Sequence, residues 1–125
     1  MPEVKADCLK DNIMKKIEAV VRPGKVDAVC KSLHKVGHPG LMLTDIAGHG
    51  AQKGMTKVLR GRTYNVEFVT KTKIDLIVKD EDVDKIVKAI RDVAVTGEVG
   101  DGKIFISTID DAIRVRTGER GDNAI

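Results

Sequence analysis

Hydrophobic residues follow two different spacings in each half of the chain. In the first half, Ile17, Ala19 and Val21 occupy alternate positions, which predicts a strand with one buried face. After a break at Pro23 and Gly24, apolar residues recur at helical spacing, at Val26, Val29, Cys30, Leu33 and Val36. This change of period indicates a strand, a turn and then an amphipathic helix.

The second half of the chain repeats this pattern. Residues 74–94 align on residues 17–37 without a gap, and both segments carry apolar residues at the strand and helix positions. Each segment is followed by another strand candidate, at 40–48 and at 103–109. The order β-α-β, insertion, β-α-β predicts an α+β, ferredoxin-like βαββαβ (split βαβ) fold with two helices on one face of a four-stranded sheet.

The other face of this sheet is expected to need a cover. By strand alternation, Val20 and Ile77 point away from the helices and add apolar side chains to that face. An exposed apolar face is typically covered by another subunit, and the cheapest cover is a second copy of the same chain. The pattern therefore predicts a homo-oligomer.

A long segment, at about 49–70, separates the two halves. Loops beyond about 12–15 residues in a compact domain are usually functional or disordered. Between Gly48 and Lys73 there are six basic residues and one acid, Glu67, which favours an anionic partner. We interpret the segment as a mobile arm that orders on a ligand or a partner. A flexible hairpin extension is the alternative.

Composition favours a single small domain in the cytoplasm. The 125 residues are 42% hydrophobic but include no Trp, one Tyr and two Phe, so the core should be aliphatic. No apolar run approaches the ~20 residues that a membrane-spanning helix requires. Cys8 and Cys30 are isolated thiols without framework spacing, which suits a reducing cytoplasm. The net charge of +3 is too small to argue for nucleic acid by itself.

A glycine-rich segment precedes the last strand candidate. Gly97, Gly100 and Gly102 would allow a tight turn that brings backbone N–H groups close to a bulky anion. Lys103 adds a point charge that suits phosphate. The spacing is not the Walker pattern, and a plain turn would use the same glycines, so the segment alone leaves both interpretations open.

Two arginines in the C-terminal tail strengthen the phosphate interpretation. Arg114 and Arg116 are two apart on a segment expected to be extended, so both side chains should project to one side. Guanidinium groups pair well with phosphate oxygens. Together with the glycine-rich segment, the arginines favour a nucleoside triphosphate as the ligand. Surface arginines on a tail are the alternative.

Several motifs occur in an order and spacing that resemble those of the PII nitrogen-regulatory signal proteins, namely QKG, RG before Tyr64, KTKIDL, TGEVGDGKIF and IRVRTGE. The resemblance runs from about Met14 to the C-terminus, and residues 1–13 precede it as an N-terminal extension expected to be flexible. It implies a signalling domain over 14–125 with a T-loop at about 49–70. It also implies a cytoplasmic homotrimer that binds ATP or ADP between its subunits.

The resemblance implies a set of site residues as well. Those expected to bind the nucleotide are Thr96, Gly100, Asp101, Gly102, Lys103, Arg114 and Arg116. Gln52 would ligate Mg²⁺ together with the effector 2-oxoglutarate, and Lys71 would pair with a carboxylate of that effector. Tyr64 aligns with a tyrosine that some relatives nucleotidylate. Arg60 stands where an arginine near the loop tip enters an ammonium channel in this family.

The function implied is that of a non-enzymatic sensor. Nucleotide and 2-oxoglutarate would set the T-loop conformation, and the T-loop would bind or release an ammonium channel or another nitrogen-metabolism enzyme or regulator. Contact with a membrane would be indirect, through the channel. Ala51 departs from an arginine common in relatives, so one phosphate contact is expected to be missing.

Two other functions compete with the sensor. A small ATP-hydrolysing or phosphoryl-transfer domain would need a base near the γ-phosphate, and Asp101 is the obvious candidate. An RNA-binding module of the same strand order would stack bases on aromatic residues of the sheet. Phe105 is the only Phe or Tyr on a predicted core strand, so no nucleic-acid partner is expected.

Overall fold

The computed structural model describes residues 13–38, 40–49, 56–59, 62–65 and 68–125. The strands in these ranges are β1 (Met14–Val21), β2 (Met42–His49), β3 (Thr56–Leu59), β4 (Arg62–Asn65), β5 (Phe68–Lys79) and β6 (Gly102–Ile109). The helices are α1 (Val26–Lys35) and α2 (Val83–Ala94). Each helix follows a strand and a short 3-10 turn, so the two halves of the sequence repeat fold alike.

The four long strands form one antiparallel sheet in the order β2-β5-β1-β6. In the central strand β1, Ile17 lies opposite Leu76 of β5 on one side and opposite Ile106 of β6 on the other. Within the described residues, β3 and β4 pair with each other as a separate two-stranded ribbon. This strand order, with helices linking β1 to β2 and β5 to β6, confirms the predicted ferredoxin-like fold class.

The core is aliphatic, as the composition predicts. The strand positions that alternate toward the helices are buried together with the inner faces of both helices, and the largest of these side chains are Ile17, Ile74, Leu76, Val29, Leu33, Ile86 and Ile90. Each such side chain contributes about 1.5–3 kcal/mol of burial free energy. Because both helices contribute to one cluster, they lie on the same face of the sheet.

The first helix ends where glycine permits a reversal of the backbone. Gly37 has a φ of 87°, and the N–H of His38 donates to the carbonyl of Leu33 at 2.9 Å. This is the Schellman arrangement, which satisfies a carbonyl that the helix end leaves without a partner. The imidazole Nε2 of His38 then lies 3.6 Å from Oδ2 of Asp82, just before α2. The end of α1 therefore meets the start of α2.

The sheet face away from the helices differs from the prediction of an apolar surface. Val20 and Ile77 are half-buried there, but charged residues occupy the neighbouring positions. The Nζ atom of Lys16 lies 2.9 Å from Oε1 of Glu18, and Nζ of Lys73 lies 3.9 Å from the same oxygen. The hydrogen bond from Lys16 lowers the pKa of Glu18. Apolar residues at alternate positions identify the buried inner face but do not determine the residues on the outer face. The homo-oligomer stays a prediction.

The strands around the predicted insertion extend further than the sequence pattern indicates. β2 continues to His49, and β5 begins at Phe68, where the two residues face each other across the ladder. The described part of the segment 49–70 also contains the ribbon of β3 and β4, so it is partly ordered as a hairpin. Phe68 is therefore a second phenylalanine on a sheet strand, which corrects the prediction that Phe105 stands alone. Backbone pairing extends these strands beyond the apolar alternation.

Candidate functional site

The glycine-rich segment forms a tight loop, residues 95–101, between the end of α2 and the start of β6. Two glycines of the loop and the first residue of β6 adopt positive φ angles, 86° at Gly97, 102° at Gly100 and 105° at Gly102. These backbone angles are costly for residues with a side chain, so the glycines are required by the path of the chain. At Gly102 a Cβ atom would lie 1.7 Å from the backbone oxygen of Val20.

Asp101 organises this loop from inside. Its Oδ2 accepts hydrogen bonds from the backbone N–H of Thr96 at 2.8 Å and of Gly97 at 2.9 Å. Its Oδ1 accepts a hydrogen bond from the Thr96 hydroxyl. These hydrogen bonds hold the pKa of Asp101 well below its usual range, and the bond from the Thr96 hydroxyl contributes most to this shift. The carboxylate is therefore ionised and committed to the loop's own donors.

Two basic side chains hold the loop from outside. Arg22, which follows β1, donates from Nη2 to the carbonyl of Val99 at 2.9 Å, and its Nε lies 3.2 Å from Oδ1 of Asp101. Lys71 of β5 donates from Nζ to the carbonyl of Gly100. Burial lowers the pKa of Lys71, and the nearby charge of Arg22 lowers it further. Two adjacent strands thus fix the conformation of the glycine-rich loop.

Arg22 was not identified from the sequence as a site residue. Its position is explained by the sheet, because Val21 lies opposite Gly102 in the pairing of β1 with β6. The residue after Val21 must therefore reach the segment that precedes Gly102. The only sequence signal for Arg22 is a basic residue directly before the Pro23 and Gly24 turn, which by itself points to no partner.

A cleft of about 370 Å³ lies between α2 and the edge strand β6, beside the glycine-rich loop. Its apolar walls include Val87, Ile90 and Ile106, and it is bordered by Lys103 and Arg91. An apolar floor with cationic groups at its border suits a ligand that combines a flat, weakly polar part with an anionic part. Asp101 of the glycine-rich loop and Gly102 of β6 also line this cleft.

The tail that carries Arg114 and Arg116 is a turn and not the extended segment predicted. The N–H of Gly118 donates to the carbonyl of Arg114 at 2.7 Å, and residues 115–117 form the turn between them. Strand alternation therefore cannot place the two arginines on one side. Nη1 of Arg114 lies 3.2 Å from Oε1 of Glu119, and Arg116 is exposed.

The structure brings together some of the predicted site residues and separates others. Those gathered around the glycine-rich loop are Thr96, Gly100, Asp101, Gly102, Lys103 and Lys71. Arg114 and Arg116 do not line the cleft of their own chain. Gln52, Arg60 and Ala51 lie outside the described residues, and Tyr64 is placed only as a backbone position of β4.

Two further properties concern the described part of the chain. Among its helices, none has the length and apolar character needed to cross a lipid bilayer. Over the same residues, His, Cys, Asp and Glu side chains do not gather in groups of three or more that could hold a metal ion. Gln52, the expected Mg²⁺ ligand, lies outside these residues.

Comparison with known proteins gives a consistent family. The profile of the family described as "Nitrogen regulatory protein P-II" matches residues 14–119. The chain is 49% identical over 112 residues to the "Nitrogen regulatory protein P-II" of Rhodospirillum rubrum. The alignment covers 90% of this chain and 100% of that relative. It is 46% identical to the "Nitrogen regulatory protein P-II 2" of Methanothermobacter thermautotrophicus, over 90% of this chain and 97% of that relative.

A solved structure agrees with the sequence relatives. The crystal structure of Arabidopsis thaliana PII bound to citrate superposes with a TM-score of 0.72 at 38% sequence identity. The similarity covers 89% of this chain and 88% of that chain. The match therefore extends over nearly the whole of both folds.

Proposed function

The chain belongs to the nitrogen regulatory protein P-II family, and we propose that it is a signal transduction protein that senses ATP, ADP and 2-oxoglutarate. The proposed nucleotide site is the glycine-rich loop with the cleft beside it. The observation that carries this proposal is the loop itself, whose conformation is held by Asp101 within it and by Arg22 and Lys71 around it. A loop prepared in this way presents its remaining backbone groups to an anion without reorganising on binding.

The donor set fits a polyphosphate. Gly102 and Lys103 line the cleft, and Lys103 brings an ammonium group to it. The apolar walls, among them Val87 and Ile90, suit a purine base. The related Arabidopsis PII was solved bound to citrate, which is also a multiply charged anion. This chemistry supports a nucleotide with two or three phosphates as the ligand.

We propose that the complete site forms between subunits of a homotrimer. Arg114 and Arg116 do not line the cleft of their own chain, and a neighbouring subunit could supply them. Edge strands with exposed apolar side chains, such as Met42 on β2 and Ile106 on β6, support such an assembly. Light scattering should give about three times the chain mass of 13.6 kDa. A soluble monomer at micromolar concentration would contradict the shared site.

The proposed effector site includes Lys71, Gln52 and Mg²⁺. Lys71 donates to the Gly100 carbonyl, so its ammonium group lies beside the proposed phosphate loop. An oxo acid that chelates the metal and pairs with Lys71 would therefore lie next to the nucleotide. Gln52 is proposed as a metal ligand from the family resemblance alone.

Calorimetry is the direct test of both ligands. ATP should bind alone, and ATP and 2-oxoglutarate with Mg²⁺ should tighten each other by about 1–3 kcal/mol. ADP, which lacks the γ-phosphate that helps to hold the metal, should support 2-oxoglutarate poorly. Equal 2-oxoglutarate affinity with ATP, with ADP and without nucleotide would contradict a shared site. Absence of any ATP binding would contradict the sensor function itself.

The proposed output is the segment 49–70 as a T-loop. Arg60 near its tip would enter the pore of an ammonium channel, and binding of 2-oxoglutarate would withdraw the loop and release the target. Tyr64 is proposed as a modification site. A pull-down of the cell's own ammonium channel with wild type and Arg60→Ala, with and without ATP plus 2-oxoglutarate, tests this output. Capture that ignores both the substitution and the effectors would contradict it.

The hydrolytic alternative is disfavoured by the state of Asp101. That carboxylate is the obvious base, yet it accepts bonds from Thr96 and Gly97 and its pKa is held below the usual range. A carboxylate with a lowered pKa is a weak proton acceptor at neutral pH. We therefore propose a non-enzymatic sensor. We propose the cytoplasm as its location because Cys8 and Cys30 are isolated thiols without framework spacing.

A further inference from the structure

The C-terminal tail closes on itself through one acidic side chain. Oδ2 of Asp111 accepts a hydrogen bond from Nε of Arg120 at 2.8 Å. Oδ1 of the same carboxylate accepts from the backbone N–H of Ala112 at 2.8 Å and of Gly121 at 3.3 Å, and the Gly121 N–H also donates to the carbonyl of Ala112 at 3.0 Å. The Arg120 hydrogen bond, with the smaller contributions of the two N–H groups, lowers the pKa of Asp111. One carboxylate therefore connects both ends of the tail segment.

Backbone bonds continue this closure toward the tip. Ile113 and Arg120 form an antiparallel bridge, and the N–H of Arg114 donates to the carbonyl of Glu119 at 2.8 Å. The N–H of Gly118 then donates to the carbonyl of Arg114 at 2.7 Å. The tail is thus a small hairpin. Asp111 and Arg120 lie at its base, and the two arginines proposed to bind phosphate lie toward its tip.

We infer that Asp111 and Arg120 are positioning residues, here called the clasp, which hold the hairpin backbone that carries Arg114 and Arg116 in place for a polyphosphate. The inference rests on the proposed nucleotide site. Neither residue of the clasp is assigned to phosphate itself, because the guanidinium of Arg120 is directed to the carboxylate of Asp111.

The clasp is expected to reduce the conformational entropy that the tail loses when the ligand binds. An exposed ion pair by itself contributes little to stability. This pair differs because the carboxylate also receives two backbone donors and closes a hairpin. Binding loses affinity for each segment that it must order, and a closed hairpin already fixes the backbone that carries Arg114 and Arg116. A hairpin that is already closed reduces this cost, so loss of the clasp should weaken phosphate binding without contact to the ligand.

The opposite charges of the two clasp residues allow a positioning role to be distinguished from a simple electrostatic effect on ATP binding. Asp111→Ala removes a negative charge together with its hydrogen-bond acceptors, so simple electrostatics with an anionic ligand predicts tighter ATP binding, and for Arg120→Ala it predicts weaker binding. The clasp predicts that both substitutions weaken binding, by about tenfold. The double variant should be no weaker than either single variant, because both remove the same interaction. Arg120→Lys, which keeps the charge opposite Asp111, should recover part of the affinity.

The measurement is isothermal titration of the full-length assembled protein with ATP, alongside light scattering and thermal unfolding of each variant. The matched control is Lys88→Ala, which breaks the 2.6 Å ion pair with Asp92 on α2, where neither residue lines the cleft. This variant should bind ATP as the wild type does.

Each outcome bears on a separate claim. Asp111→Ala that binds ATP as tightly as the wild type, or more tightly, overturns the clasp while the proposed function stands. Strict additivity of the two substitutions overturns it as well. A wild type that binds no ATP overturns the proposed function, and the clasp with it. Weakened binding by both single variants, with unchanged assembly and thermal midpoint, supports the clasp.

Discussion

The Nε atom of Arg22 lies 3.2 Å from Oδ1 of Asp101, although 79 residues separate the two in sequence. The same guanidinium donates from Nη2 to the carbonyl of Val99. A planar guanidinium can make both contacts at once, which a single ammonium group cannot do with the same directionality. Arg22, directly after β1, therefore restrains the loop that is proposed to bind phosphates.

We expect Arg22→Ala to loosen the glycine-rich loop without unfolding the domain. Asp101 would lose its cationic partner, so its bonds to the N–H groups of Thr96 and Gly97 should weaken. Hydrogen exchange measured by mass spectrometry should be faster over residues 95–101. Arg22→Lys should give an intermediate rate, and Lys31→Ala on the exposed side of α1 should leave the rate unchanged. Equal protection of the loop in Arg22→Ala would exclude this role for the arginine.

The lowered pKa of Asp101 predicts a specific pH dependence. A carboxylate whose pKa is depressed by folding contributes full stability above its unfolded pKa of about 3.9, and the contribution is lost as the pH falls through the folded value. The stability difference between wild type and Asp101→Asn should therefore be constant from about pH 8 to pH 5. It should shrink below about pH 4. Urea unfolding of both proteins across this range checks the prediction, and a difference that changes near pH 6 would contradict it.

Gly102→Ala should be among the most damaging alanine substitutions at a glycine. The new Cβ would lie 1.7 Å from the backbone oxygen of Val20, in a conformation with a φ of 105°. Because the obstacle is the backbone of the central strand β1, it cannot move cheaply, and we expect a loss of at least about 2 kcal/mol.

Gly97→Ala is the matched control for this prediction. Its φ of 86° is also positive, but a Cβ there would meet nothing within 4 Å. The cost should therefore be limited to the backbone term of about 1–2 kcal/mol. Urea unfolding of the two variants gives the loss of unfolding free energy for each, and the difference measures the cost of the close contact apart from that of backbone strain. Equal losses would mean that the approach to Val20 relaxes more easily than its position suggests.

Loss of the tail arginine should weaken nucleotide binding directly. Arg116→Ala should lower ATP affinity at least tenfold, because a charge-assisted hydrogen bond typically contributes about 1.5–3 kcal/mol. Lys31→Ala removes the same charge from an exposed position of α1 and should have little effect in calorimetry. Similar losses in the two variants would indicate a general charge effect and would contradict a direct contact of Arg116 with phosphate.

A subunit-mixing experiment tests whether the site is shared. If Lys103 comes from one subunit and Arg116 from its neighbour, Lys103→Ala and Arg116→Ala homotrimers should both bind ATP weakly. Mixed trimers would contain some interfaces in which both residues are wild type. Unfolding and refolding the two variants together should then restore a fraction of tight sites in calorimetry. Failure to restore any, in trimers shown by mass spectrometry to be mixed, would place both residues in one subunit.

Most of the fold was determined by local sequence patterns. The repeated change from alternate spacing to helical spacing located β1, α1 and α2, and the buried residues Ile17, Ile74 and Leu76 are those that the pattern predicts. Such patterns are visible because secondary structure depends on near neighbours along the chain. The glycines of residues 95–101 were also recognisable, since positive φ angles require a residue without a side chain.

The tertiary structure alone decided which distant residues meet. The pairing of Val21 with Gly102 brings Arg22 to the glycine-rich loop, and Lys71 arrives there from β5. No periodicity in the sequence records these contacts, because they depend on strand order and register. The charged outer face around Glu18 escaped prediction for a related reason. Alternation identifies the side that is buried, whereas the partners of the other side are set by neighbouring strands that lie far away in the chain.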